Sequence, residues 1–336
     1  MAMSLEHLQA SGRVRWGFIG AGDVTEVKSG PAFRKVAGSS VSVVMRRDGE
    51  RARDYAQRHG VPRWTTNAQE VVDADDVDAI YVATPPSSHE HYVAMAAAAG
   101  KPVYVEKPLA RTVAEGEAMV RACEAAGVPL FVAYYRRALP RFEFVRDLIR
   151  GGALGAPTFV RLELSTPAPP GPDGAGWRWD PEVGGDGLLL DLGSHALDLL
   201  DHWLGPATEV AGSSVTRLPW SRVTDQVVGA FKWENGALGT AAWDFAAGRG
   251  LDRLDVTFTD GHVSVPVFLE GPVKVAGPAG TEEHRFPHPP HIQEPLISLL
   301  VGELLGLGPP CPSTGASALR TQRTMETLLG RSNAQK

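Results

Sequence analysis

The chain has 336 residues, 43% hydrophobic and 21% charged, an ordinary mixture for a globular protein long enough to bury a sizeable core in two domains. Its formal charge of -6 gives no electrostatic reason to bind nucleic acid or an anionic membrane, and no run approaches the roughly 20 apolar residues that span a bilayer. Residues 1–12 lack a basic stretch followed by a long apolar core, and Cys123 and Cys311 are too few for a disulfide framework, so a cytoplasmic protein is expected. Cys123 falls in an alanine-rich amphipathic segment and reads as a small buried residue.

The first 137 residues alternate short apolar runs with amphipathic segments. Strands are predicted at Val14–Ile19, Val41–Met45, Ala79–Ala83, Val103–Val105 and Leu130–Ala133, with helices at Val24–Lys35, Gly49–His59, His89–Ala99 and Val113–Ala126. Gly60, Gly100 and Gly127 each follow a helix where a left-handed cap is wanted. Gly30-Pro31 should break or kink the first helix. The strands lack polar alternation, as in a parallel sheet covered on both faces, so residues 1–137 read as a doubly wound, Rossmann-type domain.

Residues 138–336 differ in character. A helix at Pro140–Arg150 precedes a period-2 strand at Thr158–Ser165, and a proline- and glycine-rich loop covers Thr166–Gly176. A helix spans Leu188–Leu204, stopped by Gly205-Pro206. β-rich runs then follow at Val227–Trp233, Leu238–Phe245, Leu254–Thr259 and Val263–Leu269, with hairpin turns at Asn235-Gly236 and Asp260-Gly261. Helices close the chain near Ile292–Leu305 and Ser317–Leu329. The fold class is α/β, with an α+β second domain holding a mostly antiparallel sheet.

Gly20-Ala21-Gly22-Asp23-Val24-Thr25 follows a strand and opens a helix, the context of a dinucleotide fingerprint. Gly20 permits the tight turn, and Gly22 lets backbone amides approach the pyrophosphate at the helix N-terminus. Thr25 stands where a third small residue is usual. The second strand ends without the acidic residue expected of an NAD enzyme and continues Arg46-Arg47-Asp48. Two guanidinium groups there suit a 2′-phosphate and favour NADP(H); the other reading makes them solvated arginines, with Asp48 serving the ribose of NAD(H). Thr84-Pro85-Pro86-Ser87-Ser88-His89 lies at a strand's carboxyl edge, where a cofactor is held; His89 reads as a structural partner of that loop and Ser88 as a helix cap.

Glu106-Lys107-Pro108 follows the apolar run Val103–Val105, so Lys107 should emerge at the carboxyl end of a buried strand. Asp191, His195, Asp198 and His202 repeat at helical spacing beside an apolar stripe of Leu192, Ala196, Leu199 and Trp203, fitting a helix that floors a cleft. His195 is a natural acid/base with Asp191 one turn earlier to orient it. The bland alternative is a carboxylate-capped histidine on a packed helix. No metal site is read, because no further ligand cluster supports His195, Asp198 and His202. Trp177, Arg178 and Trp179 either border the substrate or belong to a core or subunit interface, and Tyr135 and Arg136 are weaker candidates for the same cleft.

Together, Gly20–Thr25, Glu106-Lys107-Pro108 and Gly184-Gly185-Asp186-Gly187 continuing through Asp191, Gly193, His195 and Asp198 resemble the glucose–fructose oxidoreductase/inositol dehydrogenase/rhizopine-catabolism (Gfo/Idh/MocA) family. The resemblance runs from about Val14 to Pro312–Gly315. It implies that Lys107 is catalytic beside the nicotinamide and substrate hydroxyl, that His195 moves the proton, and that Asp191 partners it. It also implies a cis Lys107-Pro108 bond and a homodimer or homotetramer formed through the outer face of the second sheet. Asp186 interrupts the family's glycine run, and Thr25 departs from its small residue.

The expected activity is NADP(H)-dependent hydride transfer at a secondary alcohol or ketone of a sugar, polyol or cyclic diol. The alternatives are an NAD-dependent glycoside-cleaving enzyme working by transient oxidation and elimination, and a non-catalytic dinucleotide sensor.

Overall fold

The computed structural model describes residues 5–331. The chain forms two compact units, one from residues 5–110, 114–139 and 288–318 and the other from 111–113, 140–287 and 319–331. Against the boundary expected at 137, the first unit reaches 139 and includes a later segment.

In the first unit, β1 (Val14–Ile19), β2 (Ser39–Met45), β3 (Arg63–Thr65), β4 (Ala79–Val82), β5 (Val103–Val105) and β6 (Leu130–Val132) make one parallel sheet in the order β3-β2-β1-β4-β5-β6. The direction of winding reverses between β1 and β4, the point at which doubly wound sheets leave a ligand crevice at the strands' carboxyl ends. Every residue of β4, β5 and β6 is buried, the physical meaning of their missing polar alternation. The ring of Phe33 packs 5.0 Å from those of Trp16, Phe18 and Tyr81, forming the aromatic core under β1 and β4.

Helices occupy Gly49–His59, His89–Ala98 and Val113–Ala126, and Gly60, Gly100 and Gly127 follow them at φ 63°, 68° and 66°. The sequence reading missed β3 and the helix Ala68–Val72. β3 is a three-residue edge strand with Arg63 and Trp64 exposed, so it has no apolar run to detect.

The first helix is broken as expected. Val24–Lys28 is a widened turn closed by Ser29 N–H donating to Val24 O at 3.1 Å, and an α-helix resumes at Gly30–Lys35. Pro31 has no N–H for the carbonyl of Val27, four residues earlier. His291 Nδ1 takes that carbonyl at 2.7 Å, and Gln293 N–H takes Lys28 O at 3.1 Å.

In the second unit, β7 (Pro157–Pro167), β8 (Ala207–Val215), β9 (Gln226–Trp233), β10 (Leu238–Ala247), β11 (Leu251–Phe258), β12 (His262–Val265), β13 (Val273–Gly277) and β14 (Gly280–His284) form a second sheet, ordered β14-β13-β12-β11-β7-β10-β9-β8. Only β7 and β10 pair parallel; the other neighbours are antiparallel. Along β10, Ala241, Trp243 and Phe245 are buried while Leu238, Thr240 and Ala242 are exposed, the alternation of a sheet covered on one face. The expected strand Val263–Leu269 stops at Val265. Pro266 cannot donate, and the amides of Val267, Phe268 and Leu269 turn onto the carboxylate of Asp252 at 2.9, 2.7 and 2.7 Å. β14 went unread because Thr281, Glu282 and Glu283 give it no apolar pattern.

Candidate functional site

The dinucleotide turn lies between β1 and the widened turn. Gly20 has φ 91°, and a Cβ there would lie 2.8 Å from both Ala83 O and Thr84 Cγ2, so the turn abuts the loop after β4. A Cβ at Gly22 would meet nothing within 4 Å, leaving that side of the backbone open to a phosphate group. Asp23 is exposed and Val24 half-buried at the helix start. Thr25, the departure from the fingerprint, is fully buried; its hydroxyl donates to Gly22 O at 2.8 Å and its carbonyl accepts from Tyr55 at 3.0 Å.

Glu26 on the same turn takes both Arg58 amino groups at 2.8 Å and lies 2.7 Å from His59 Nε2. Hydrogen bonding from Arg58, then from His59, holds its carboxyl down at about 2. This clamp from the Gly49–His59 helix had no signature in the sequence, since its members are ordinary surface residues of two amphipathic segments.

At the end of β2, Arg46 is half-buried and Arg47 exposed, and neither guanidinium makes a hydrogen bond or ion pair with the described residues. Asp48 is otherwise occupied: its Oδ1 accepts Arg51 N–H at 3.1 Å as the helix N-cap, and its Oδ2 pairs with Arg51 Nε at 3.4 Å. These groups fit a dinucleotide, with an open backbone turn for the pyrophosphate and two uncommitted guanidinium groups at the end of β2.

His89, fully buried, spans two loops. Its Nε2 lies 2.8 Å from Thr84 O, and its Nδ1 3.1 Å from Leu109 O and 3.2 Å from Pro108 O. Burial pulls its pKa below the ordinary imidazole value. Ser88 Oγ donates within the same loop, to Thr84 Oγ1 at 2.8 Å, and Pro85 is half-buried beside it. Lys107 is half-buried at the end of β5 and its bond to Pro108 is cis. Glu106 is buried, bonded to Tyr81 and Gln293. Tyr135 and Arg136 are 7% and 6% exposed, and Arg136 Nη1 donates to the Tyr135 hydroxyl at 3.0 Å.

In the second unit the helix expected at Leu188–Leu204 begins as a widened turn, Leu189–Gly193, and continues as an α-helix over Ser194–Leu204. Asp191, His195 and Asp198 are all buried, as are Ala196, Leu199 and Trp203, while Leu192 and His202 in the same two stripes are half-buried. Asp191 accepts Arg178 Nε–H at 2.6 Å, and the Arg178 guanidinium lies 4.5 Å over the Trp177 ring. The His195 ring meets Phe268 edge-on at 5.8 Å. Trp179 is buried against Trp220, whereas Trp177 is 37% exposed, which separates their roles. Asp186, the interruption in the glycine run, is a buried latch: it accepts Thr224 N–H at 2.9 Å and Arg331 Nη2 at 2.9 Å.

Cys123 and Cys311 are buried thiols pushed up to about 12 by burial. Among the described residues no three His, Cys, Asp or Glu side chains are placed to hold a metal ion, and no helix is long and apolar enough to cross a membrane.

Residues 14–134 match the model of an oxidoreductase family with an NAD-binding Rossmann fold (GFO_IDH_MocA), and residues 142–264 match the GFO/IDH/MocA C-terminal domain. The chain is 34% identical over 297 residues to Oxidoreductase P35 of Formosa agariphila, covering 87% of this chain and 91% of the relative. It is 32% identical over 302 residues to 1,5-anhydro-D-fructose reductase of Ensifer adhaerens, covering 88% and 90%. The crystal structure of an oxidoreductase domain protein from Kribbella flavida superposes with a TM-score of 0.82 at 26% identity, covering 96% and 98%. With both domains matched, the protein belongs to the Gfo/Idh/MocA family and is an NAD(P)-dependent oxidoreductase.

Proposed function

We propose that the protein is an NADPH-preferring oxidoreductase that interconverts a secondary alcohol and a ketone on a sugar, polyol or cyclic diol. The cofactor preference rests on one observation: Asp48 is committed to capping its own helix, while Arg46 and Arg47 remain uncommitted at the end of β2. Guanidinium forks recognise a 2′-phosphate; an acid needed for ribose hydroxyls is absent from that position. The carbohydrate class is supported by kinship with a reductase named for an anhydro sugar. Neither an eliminating glycosidase nor a non-catalytic sensor is favoured by a relative named as a reductase.

When bound, the nicotinamide exchanges hydride with the carbinol carbon. The proton and the charge on oxygen are left to the chain. In this reading the Lys107 ammonium stabilises the developing alkoxide, His195 gives or takes the hydroxyl proton, and Asp191 lines the sugar site with Arg178 and the exposed Trp177 ring. A homodimer or homotetramer in the cytoplasm is part of the same proposal, with Val228 and Leu238, 54% and 51% exposed on the second sheet, as contact residues.

The test is nicotinamide absorbance after mixing the protein with NADPH or NADH and a panel of keto-sugars and cyclic diketones. Oxidation of NADPH by a keto-sugar, faster than of NADH, is the expected result. Product formed from a glycoside with no net change in nicotinamide would overturn the assignment.

A further inference from the structure

Five side chains that the proposed chemistry does not use meet inside the first unit. Tyr81 donates its hydroxyl to Glu106 Oε1 at 2.6 Å and lies 2.9 Å from Ser29 Oγ. Gln293 Nε2 donates to the same Glu106 oxygen at 2.7 Å, and Gln293 Oε1 accepts the Tyr104 hydroxyl at 2.8 Å. Tyr81, Tyr104 and Ser29 are fully buried, and Gln293 and Glu106 are 1% and 6% exposed. The Tyr81 and Tyr104 rings stack at 5.2 Å between these bonds.

The geometry joins two functional segments. Ser29 closes the widened turn, Val24–Lys28, that follows the dinucleotide glycines, and the backbone N–H of Gln293 caps Lys28 O on that turn. Glu106 directly follows β5 and immediately precedes Lys107. Glu106 is buried, whereas Lys107, next in the chain, is half-buried, so the position of one backbone segment is shared by the network and by the lysine. Bonds to a carboxylate away from water are strong and directional, and a half-satisfied buried network is costly, so these partners hold one arrangement.

We propose that Gln293, Glu106 and Tyr81 form a buried junction locking the dinucleotide turn to the strand that carries Lys107, which makes Gln293, 187 residues from Glu106 in sequence, a positioning residue for the cofactor. This rests on the dinucleotide reading of that turn. The titratable groups around the Glu106 carboxylate are Tyr81 and Tyr104, whose hydroxyls burial pushes well above their ordinary range, and His89, with Lys107 next in the chain. A second carboxyl placed against Glu106 shares its proton in acid and repels it once both ionise.

The experiment measures NADPH and NADH dissociation constants by nicotinamide fluorescence from about pH 5.5 to 8.5, as the ratio of variant to wild type at each pH. For Gln293→Glu the ratio is expected near one at the acid end and about tenfold at the basic end, the equivalent of one unit of coupling. Gln293→Ala should weaken binding by a factor independent of pH. The swap Glu106→Gln/Gln293→Glu rebuilds an amide–carboxylate pair and should recover most of the affinity. Tyr81→Phe, which keeps the ring packing, serves if Gln293→Glu fails to fold, and should also weaken binding. A flat ratio for Gln293→Glu, a swap no better than its parts, or wild-type affinity in Tyr81→Phe overturns the junction. Wild-type protein that takes up neither dinucleotide overturns the dinucleotide reading instead.

Discussion

Arg178 and Asp191 are coupled by a single short bond, the guanidinium Nε–H donating to Oδ2 at 2.6 Å. The arginine comes from a short turn at Trp177–Trp179, the carboxylate from the widened start of a buried helix. Asp191 is thereby neutralised on one side, and the terminal amino groups of Arg178 make no other hydrogen bond with the described residues. That leaves a planar, rigidly stacked donor at the edge of the proposed sugar site.

Arg178→Lys keeps the charge but loses the fork and the stacking on Trp177. It is expected to raise the KM for the best keto-sugar by roughly tenfold or more, the value of one or two charged hydrogen bonds, with cofactor affinity unchanged. Steady-state kinetics on both substrates checks this, and an equal loss of NADPH affinity would remove Arg178 from the sugar site.

Arg46→Ala and Arg47→Ala should each weaken NADPH binding by about tenfold, while NADH binding changes by less than about twofold. Fluorescence titration with both dinucleotides is the measurement. Equal effects on the two would show that neither arginine reads the 2′-phosphate.

Lys107→Ala and His195→Ala are each expected to lower turnover by roughly 10²- to 10⁴-fold, the usual range for a lost acid/base or charge-stabilising group. Cofactor dissociation constants should stay near wild type. Full turnover in either variant would cancel that residue's assigned part.

Glu26 supplies a pH signature. Its carboxyl is lowered from 4.5 to about 2 in the folded chain, chiefly by hydrogen bonds from Arg58. A depressed carboxylate contributes stability that is complete above the unfolded value and is lost as the pH falls through the folded one. Glu26→Gln should therefore melt below wild type at neutral pH, and the gap should narrow as the pH falls from 4.5 toward 2. A gap that stays constant across that window would mean the clamp carries no net charge effect.

The parts of the molecule that announce themselves in sequence are those whose cause is local. β4, β5 and β6 are apolar because both faces are covered, Gly20 is a glycine because of a clash at 2.8 Å, and Pro31 breaks a helix by lacking a donor. The second unit's strands alternate only where one face is solvated, so β10 was legible and β14 was not. At the site, Gly20, Lys107, Asp191 and His195 stood out by motif. Gln293 and Tyr104 did not, because a bond across 189 positions leaves no periodicity to find. Arg178 was visible as a candidate, but its bond to Asp191 depends on a turn geometry that proline and glycine content alone does not specify. The helical spacing of Asp191 through His202 gives no sign of the widened turn at Leu189–Gly193, where the helix starts.

The bridge between Phe131 and Thr314, with Ser313 Oγ donating to Val132 O at 2.6 Å, has a consequence for truncation. The outermost strand of the nucleotide fold, β6, is bordered by residues 181 positions further along the chain. A chain ending after residue 139 would expose that rim and lack the caps on Val27 and Lys28, so the first unit is complete only once residues 288–318 are present.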